Sequence, residues 1–295
     1  MSSGPRTMNK SSAHNTILPE YVLFRSVCSS GLSKVRPLTE AATKNDQSGW
    51  NFGSGWPPSY WAYGRMRALI ALIEASALNP KSVLEVAAGD AALCAYLASK
   101  GCRVAANDYR KENLEDAVRC FTNRGSIQLW PGNLFDLDPS ATGLFDLVVA
   151  CEIVEHVAHT VDFLKQLKRF VAPGGHILLT TPNGAYFRNK LPTHSAIKDF
   201  KALESQQFKP DADGHLFLIT PGELRTLTQS AGLAVERITL WGTPLITGHL
   251  RLSRLASQSA CWACYHVERL CQKLPFAFKE KACVNISAIL TPASE

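Results

Sequence analysis

The sequence predicts a doubly wound α/β fold on a seven-stranded sheet, and three observations carry that prediction. Apolar runs of strand length alternate with helical stretches through the middle of the 295-residue chain. The first such run, Val83-Leu84-Glu85-Val86, passes through the small residues Ala87-Ala88-Gly89-Asp90-Ala91 into the helical Leu93-Cys94-Ala95-Tyr96-Leu97. A carboxylate, Asp108, then follows a second strand expected over 103–107. A turn with almost no side chains lets a ligand approach the N–H groups of a helix start, and a carboxylate after the next strand suits ribose hydroxyls lying across the strand ends. Taken alone, the small-residue turn fits close packing of helix on sheet equally well.

The elements follow in order. Residues 1–48 read as a leader, disordered over 1–16, with room for a short helix over 18–38 and a polar linker over 39–48. Its first residues carry Arg6 and Lys10 and no acid; a disordered leader is the expected reading and an organelle transit peptide the alternative. The predicted functional domain is 49–295. It opens with Trp50, Trp56, Tyr60, Trp61 and Tyr63 interleaved with glycine and proline, read here as a lid over the ligand, the alternative being a loop stapled to the core by its rings. A helix over 60–78 follows, with Met66, Leu69, Ile70 and Ile73 inward. After the second strand come a helix over 111–123 and strands over 126–130 and 144–151. The helix over 161–171 buries Phe163, Leu164, Leu167 and Phe170, and Pro173-Gly174-Gly175 is expected to stop it before a fifth strand over 175–181. An insertion over 182–219 leads to Thr220-Pro221-Gly222-Glu223, a capping box opening a helix that Gly232 ends. Strands over 234–240 and 282–290 complete the sheet around a second, largely helical insertion over 241–280.

Composition narrows the function classes. The chain is 46% hydrophobic and 19% charged, enough to bury a full core. A net charge of +6 permits an anionic partner without demanding one. Nine cysteines without framework spacing read as reduced thiols in a cytoplasmic enzyme. No apolar run reaches membrane-spanning length, which leaves peripheral membrane contact open. Cys261, Cys264, His266 and Cys271 lack the second spaced pair of a zinc site and read as core.

With Phe145-Asp146-Leu147-Val148-Val149 and Pro173-Gly174-Gly175-His176-Ile177-Leu178-Leu179 added, the order of motifs over 67–240 resembles class I S-adenosylmethionine (SAM) methyltransferases. The resemblance implies a Rossmann-like methyltransferase sheet with SAM as cofactor. It places Glu85, Ala87 and Gly89 under the methionine moiety, Asp108 on the ribose and Tyr109 against the adenine. It also implies cofactor contacts at Asn133, Leu134 and Cys151, and Arg67 on the cofactor carboxylate. Ala87 and Ala91 stand where that family usually has glycine. The absence of G-x-G-x-x-G argues against a dinucleotide dehydrogenase.

After the fourth strand, Cys151-Glu152-Ile153-Val154-Glu155-His156-Val157 puts two carboxylates and an imidazole within one turn at a strand end. Such a set suits Mg²⁺ or Mn²⁺; alternatively the histidine is a metal-free base, or all three residues are structural. The spacing is similar to that of ubiquinone-pathway O-methyltransferases and small-RNA 2′-O-methyltransferases, as is Thr180-Thr181-Pro182-Asn183. That likeness implies a metal held by Glu152, Glu155, His156 and, from the later Asp213-Gly214-His215, His215. The expected reaction is O-methylation of a small-molecule hydroxyl, with His156 or His215 taking the proton where no metal acts. An RNA acceptor is disfavoured, because Arg188, Lys190, Lys198, Lys201 and Lys209 are offset by Asp199, Glu204 and Asp211. A non-catalytic SAM-binding protein is the remaining alternative. Nothing in the sequence sets the oligomeric state.

Overall fold

The computed structural model describes residues 71, 73–89, 91–111, 114, 127–207, 214–243 and 267–293. The leader, the aromatic stretch 50–63, Arg67, most of the expected helix 111–123, and Cys261, Cys264 and His266 lie outside the described residues. In chain order the elements are β1 (Ser82–Val86), α1 (Ala92–Ser99), β2 (Arg103–Asp108), β3 (Ile127–Pro131), β4 (Phe145–Cys151), α2 (Thr160–Arg169), β5 (Val171–Pro182), α3 (Pro221–Ser230), β6 (Leu233–Trp241), α4 (Phe276–Ala282) and β7 (Asn285–Pro292).

The sheet has seven strands in the order β3-β2-β1-β4-β5-β7-β6. β1 to β5 pair in parallel, and β7 runs antiparallel between β5 and β6. The chain builds outward from β1 to β3 and then returns to lay β4 on β1's other side. That reversal opens a crevice at the carboxyl ends of β1 and β4, where α/β sheets bind ligands.

Strand side chains alternate, so the sheet buries two separate apolar faces. On one, Val83, Val104, Leu147, Val149 and Leu178 pack with Leu93, Cys94 and Leu97 of α1. On the other, Leu84, Val148, Ala150, Ile177 and Leu179 pack with Phe163, Leu164 and Leu167 of α2 and Leu224 and Leu227 of α3. The capping box of α3 forms as read. Thr220 Oγ1 accepts from Glu223 N at 3.1 Å, and Glu223 Oε2 accepts from Thr220 N at 2.8 Å. Burial alone would raise the pKa of Glu223; hydrogen bonds from Ser195 and Thr220 outweigh it and hold the carboxyl below its ordinary value.

Two boundaries differ from the sequence reading by three residues or more. β5 starts at Val171, not Gly175, because Phe145 N donates to Phe170 O at 2.9 Å and draws the chain into the sheet as soon as α2 ends. Pro173-Gly174-Gly175 therefore forms a bulge inside the strand, between the pairs Phe145–Val171 and Leu147–His176. β7 starts at Asn285, not 282, because Phe276–Ala282 is helical.

The bulge requires glycine at its last position. A Cβ on Gly175 would sit 2.9 Å from Ala172 O and Asp146 O and 3.0 Å from Phe145 O, all backbone atoms that cannot yield. Gly175→Ala is expected to destabilise the protein by about 1–3 kcal/mol, the usual scale of overpacking. Urea unfolding measures this, and a wild-type midpoint would show that the bulge is looser than described.

Candidate active site

Four adjacent parallel strands deliver their carboxyl ends to one crevice. After β1, the turn runs through Ala87 (φ 54°), Gly89 (φ 54°) and Ala91 (φ 48°), all in the left-handed region. Its frame is backbone hydrogen bonding: Ala88 N donates to Asn107 O at 2.9 Å and Ala91 N to Ala88 O at 2.8 Å. Ala91 offers no side-chain cap to α1; Glu85, buried in β1, accepts from Cys94 N at 3.1 Å instead. Burial, with Glu85 adding to it, pushes the Cys94 thiol well up, away from nucleophilic use.

Asp108 ends β2 with its carboxylate turned to the same place. Oδ2 accepts from Gly89 N at 2.8 Å and Oδ1 from Arg110 N at 2.9 Å, so one side chain ties the β1 turn to the β2 exit. Tyr109, next along, is exposed. Asn107, which the sequence reading missed, donates from Nδ2 to Trp130 O at 2.7 Å and Gly132 O at 3.1 Å, joining the β2 and β3 exits. Asn133 Oδ1 accepts from Phe135 N at 3.1 Å and caps the turn Leu134–Asp136, whose Leu134 is buried. Cys151 is the last residue of β4. The cofactor residues expected from the sequence, Arg67 aside, thus stand on four neighbouring strand exits.

The β4 exit also carries the acid-imidazole set. Glu155, fully buried, accepts from Thr181 Oγ1 at 2.9 Å. Its other oxygen, Oε1, lies 4.0 Å from His156 Nε2 and 3.9 Å from His215 Nε2. The two imidazole rings meet edge to face at 5.0 Å. One ligand atom from each of Glu155, His156 and His215 falls within 4.8 Å of the others. A cation about 2.0–2.2 Å from each donor needs donors roughly 3–4 Å apart, a range that the Glu155–His156 and Glu155–His215 spacings of 4.0 and 3.9 Å meet.

Glu152 is held separately from this group. It sits at the end of β4 with φ 53°, its N–H bonded to Thr180 O at 2.8 Å. Its Oε1 accepts from Thr180 Oγ1 at 2.8 Å and from Asn285 Nδ2 at 3.1 Å. The geometry groups three of the four expected ligands, and the pairing of β4 with β5 explains where the fourth is held. Thr180 and Thr181 are consecutive in β5 and point to opposite faces, and each takes one glutamate with it. Asn285 was missed; its signal was a polar residue opening an otherwise apolar buried strand.

His215 arrives by docking of the first insertion. Leu216 N donates to Glu155 O at 3.0 Å, Ala158 N to Gln207 Oε1 at 2.8 Å, and His159 Nε2 pairs with Glu204 Oε1 at 2.7 Å. Phe217 and Ile219 enter the core beside His215, and His194 lies against Phe200 and Phe217. Burial lowers the His194 pKa, with Glu223 opposing. The second insertion meets the first nearby. Asn183 Nδ2 donates to Glu280 O and Cys283 O, both at 2.8 Å, and Phe187 N to Lys281 O at 3.1 Å. Burial, then Glu268 and Cys271, push the Cys283 thiol up to about 12, which argues against a thiolate ligand there.

Known proteins agree with this architecture. A methyltransferase-domain family model matches residues 60–238. A ubiquinone biosynthesis O-methyltransferase of Vibrio parahaemolyticus is 26% identical over 152 residues, 51% of this chain and 63% of that protein. One of Vibrio cholerae is 29% identical over 175 residues, 59% and 69% of the two chains. One of Caulobacter is 31% identical over 102 residues, 34% and 40%. The chain thus spans between 40% and 69% of the length of these relatives. Among solved structures, a SAM-dependent methyltransferase from Clostridium acetobutylicum aligns with a TM-score of 0.50 at 13% identity, covering 78% of this chain and 92% of that one. The plantazolicin methyltransferase BpumL in complex with SAH aligns with a TM-score of 0.51 at 14% identity, covering 95% and 99%. These two share the fold. With the family model spanning more than half its length, the chain belongs to the methyltransferase-domain family.

Proposed function

We propose that the protein methylates a hydroxyl group of a hydrophobic small molecule, with Glu155, His156 and His215 holding a divalent cation beside the acceptor. The observation that carries this reading is the close approach of those three side chains at the β4 exit, next to the strand exits expected to hold SAM. The O-methyltransferase names of the Vibrio relatives support oxygen as the acceptor atom.

SAM brings a methyl group already activated on sulfur, so the protein has to align the reactants and remove a proton. In our reading Asp108 and the β1 turn hold the nucleoside, with Glu85 fixing the start of α1 behind the methionine end. As the acceptor oxygen bonds to the methyl carbon, the carbon–sulfur bond breaks and its electron pair neutralises the sulfonium. With the two imidazoles engaged as ligands the hydroxyl proton leaves to solvent, to which His156 and His215 are partly open while Glu155 behind them is not; His156 or His215 takes it only where no metal acts. A divalent cation at these three residues supplies Lewis acidity that lowers the pKa of the hydroxyl. Mg²⁺ and Mn²⁺ both suit one carboxylate and two imidazoles with further positions open.

The surroundings suit an apolar acceptor. Phe187, Leu191, Leu274, Phe276 and Phe278 are between 40% and 67% exposed, on the two insertions that meet beside the crevice. Arg188, Lys190, Lys273 and Lys281, also exposed, stand among them. Aromatic rings flanked by cations bind an anionic lipid surface by burial plus charge, which supports peripheral membrane contact during acceptor capture. Among the described residues no helix is long and apolar enough to cross a membrane.

Three measurements test the proposal. Exhaustive chelation should reduce turnover at least about 10-fold, with Mg²⁺ or Mn²⁺ restoring it and His215→Ala needing far more metal; full turnover in chelator would leave His156 as a simple base. Asp108→Ala should weaken SAM binding by about 1–3 kcal/mol in calorimetry, the scale of lost charge-assisted bonds, and unchanged affinity would move the ribose elsewhere. In flotation assays the protein should rise with phosphatidylglycerol-containing vesicles and stay down with neutral ones. Phe276→Ser with Phe278→Ser should abolish the rise, and sedimentation with both vesicle types would dismiss membrane contact.

A further inference from the structure

We infer that Thr181 is a positioning residue for the cation site: its hydroxyl sets the orientation of Glu155 and so decides which carboxylate oxygen faces the two imidazoles. The inference rests on the divalent-cation reading above and adds to it a residue that cannot itself touch acceptor or SAM.

Thr181 is fully buried within β5, as is Glu155 against it. The contact is a single hydrogen bond, Thr181 Oγ1 to Glu155 Oε2 at 2.9 Å. A carboxylate rotates about its last bond with little resistance, so a donor on one oxygen turns the other to a definite heading. A β-branched side chain on a strand has few rotamers, which makes Thr181 a stiff donor. With Oε2 held, Oε1 lies 3.9–4.0 Å from His215 and His156. The backbone of Glu155 is gripped as well: its carbonyl accepts from Leu216 N at 3.0 Å, and that bond fixes the residue next to His215. One glutamate is thus held from both ends, by β5 through its side chain and by the insertion through its main chain.

Thr180 supplies an internal control. It donates in the same way, at 2.8 Å, but to Glu152 on the other face of the sheet. The two hydroxyls differ in which glutamate they hold and little else, since both residues are fully buried neighbours in one strand.

The test is Mn²⁺ binding to the intact protein, followed by the loss of free-ion EPR signal, with SAM affinity from calorimetry alongside. Thr181→Val keeps the shape and removes the donor; Mn²⁺ affinity should fall about 10–100-fold, the range for removing a partner that orients a metal ligand. Thr181→Ser should restore most of it. Thr180→Val should bind Mn²⁺ as the wild type does, and all three variants should bind SAM normally. Wild-type Mn²⁺ affinity in Thr181→Val, or an equal loss in Thr180→Val, would overturn the positioning role, the latter by returning Glu152 to the ligand set. A wild-type protein that binds no Mn²⁺ would overturn the cation reading itself, and the positioning role with it.

Discussion

A buried carboxylate has to be compensated, and the carboxyl edge of this sheet is organised around one. Glu155 has no exposed surface. Leaving such a charge uncompensated would cost several kilocalories per mole, so neighbouring elements must bring donors or positive charge to it. β5 brings Thr181, the turn Val154–His156 brings an imidazole from the next residue, and the first insertion brings a second imidazole with His215. This constraint accounts for the return of the insertion, which leaves the end of β5 and comes back with a backbone bond from Leu216 N to Glu155 O. The same arrangement that satisfies the charge makes a site suited to a cation.

The sheet also separates two tasks by simple alternation. The face carrying Val83, Leu147 and Leu178 packs against α1, whose start Glu85 caps, and Glu152 turns to the Thr180 side of β5. The opposite face carries Ile177, Leu179 and the Thr181–Glu155 pair. The β1 and β2 exits and the acid-imidazole set converge at the strand ends while their supports lie on opposite sides of the sheet. A change in one support can therefore leave the other standing, because the strand backbone between them is held in register by neighbours on both sides.

Local chemistry was the part legible in sequence. The Thr220-Pro221-Glu223 box, the small-residue turn after β1 and the carboxylate at Asp108 are each specified within a few residues, and their structure follows from them. Features that depend on pairing between distant strands were not legible. Pro173-Gly174-Gly175 has the composition of a helix stop, yet it is a bulge because Phe145 fixes where β5 begins. Glu152 and Glu155 look like one cluster along the chain, and only the pairing of β4 with β5, and of β5 with β7, shows Thr180 and Asn285 claiming one while Thr181 claims the other. The approach of His215 to Glu155 was suggested by resemblance alone, since 59 residues of chain intervene without a local signal.

The left-handed alanines have a consequence for the margin of stability. Ala87 and Ala91 hold φ values of 54° and 48°, a conformation that disfavours a Cβ by about 1–2 kcal/mol for each residue. Together that is about 2–4 kcal/mol, against a typical whole-domain stability of about 5–15 kcal/mol. The turn after β1 is therefore a loaded element, retained by the bonds to Asn107 and Asp108 and by the packing of α1. When those restraints loosen, the turn after β1 is the first segment to relax, so its shape should be lost before the fold as the protein is warmed or diluted into denaturant.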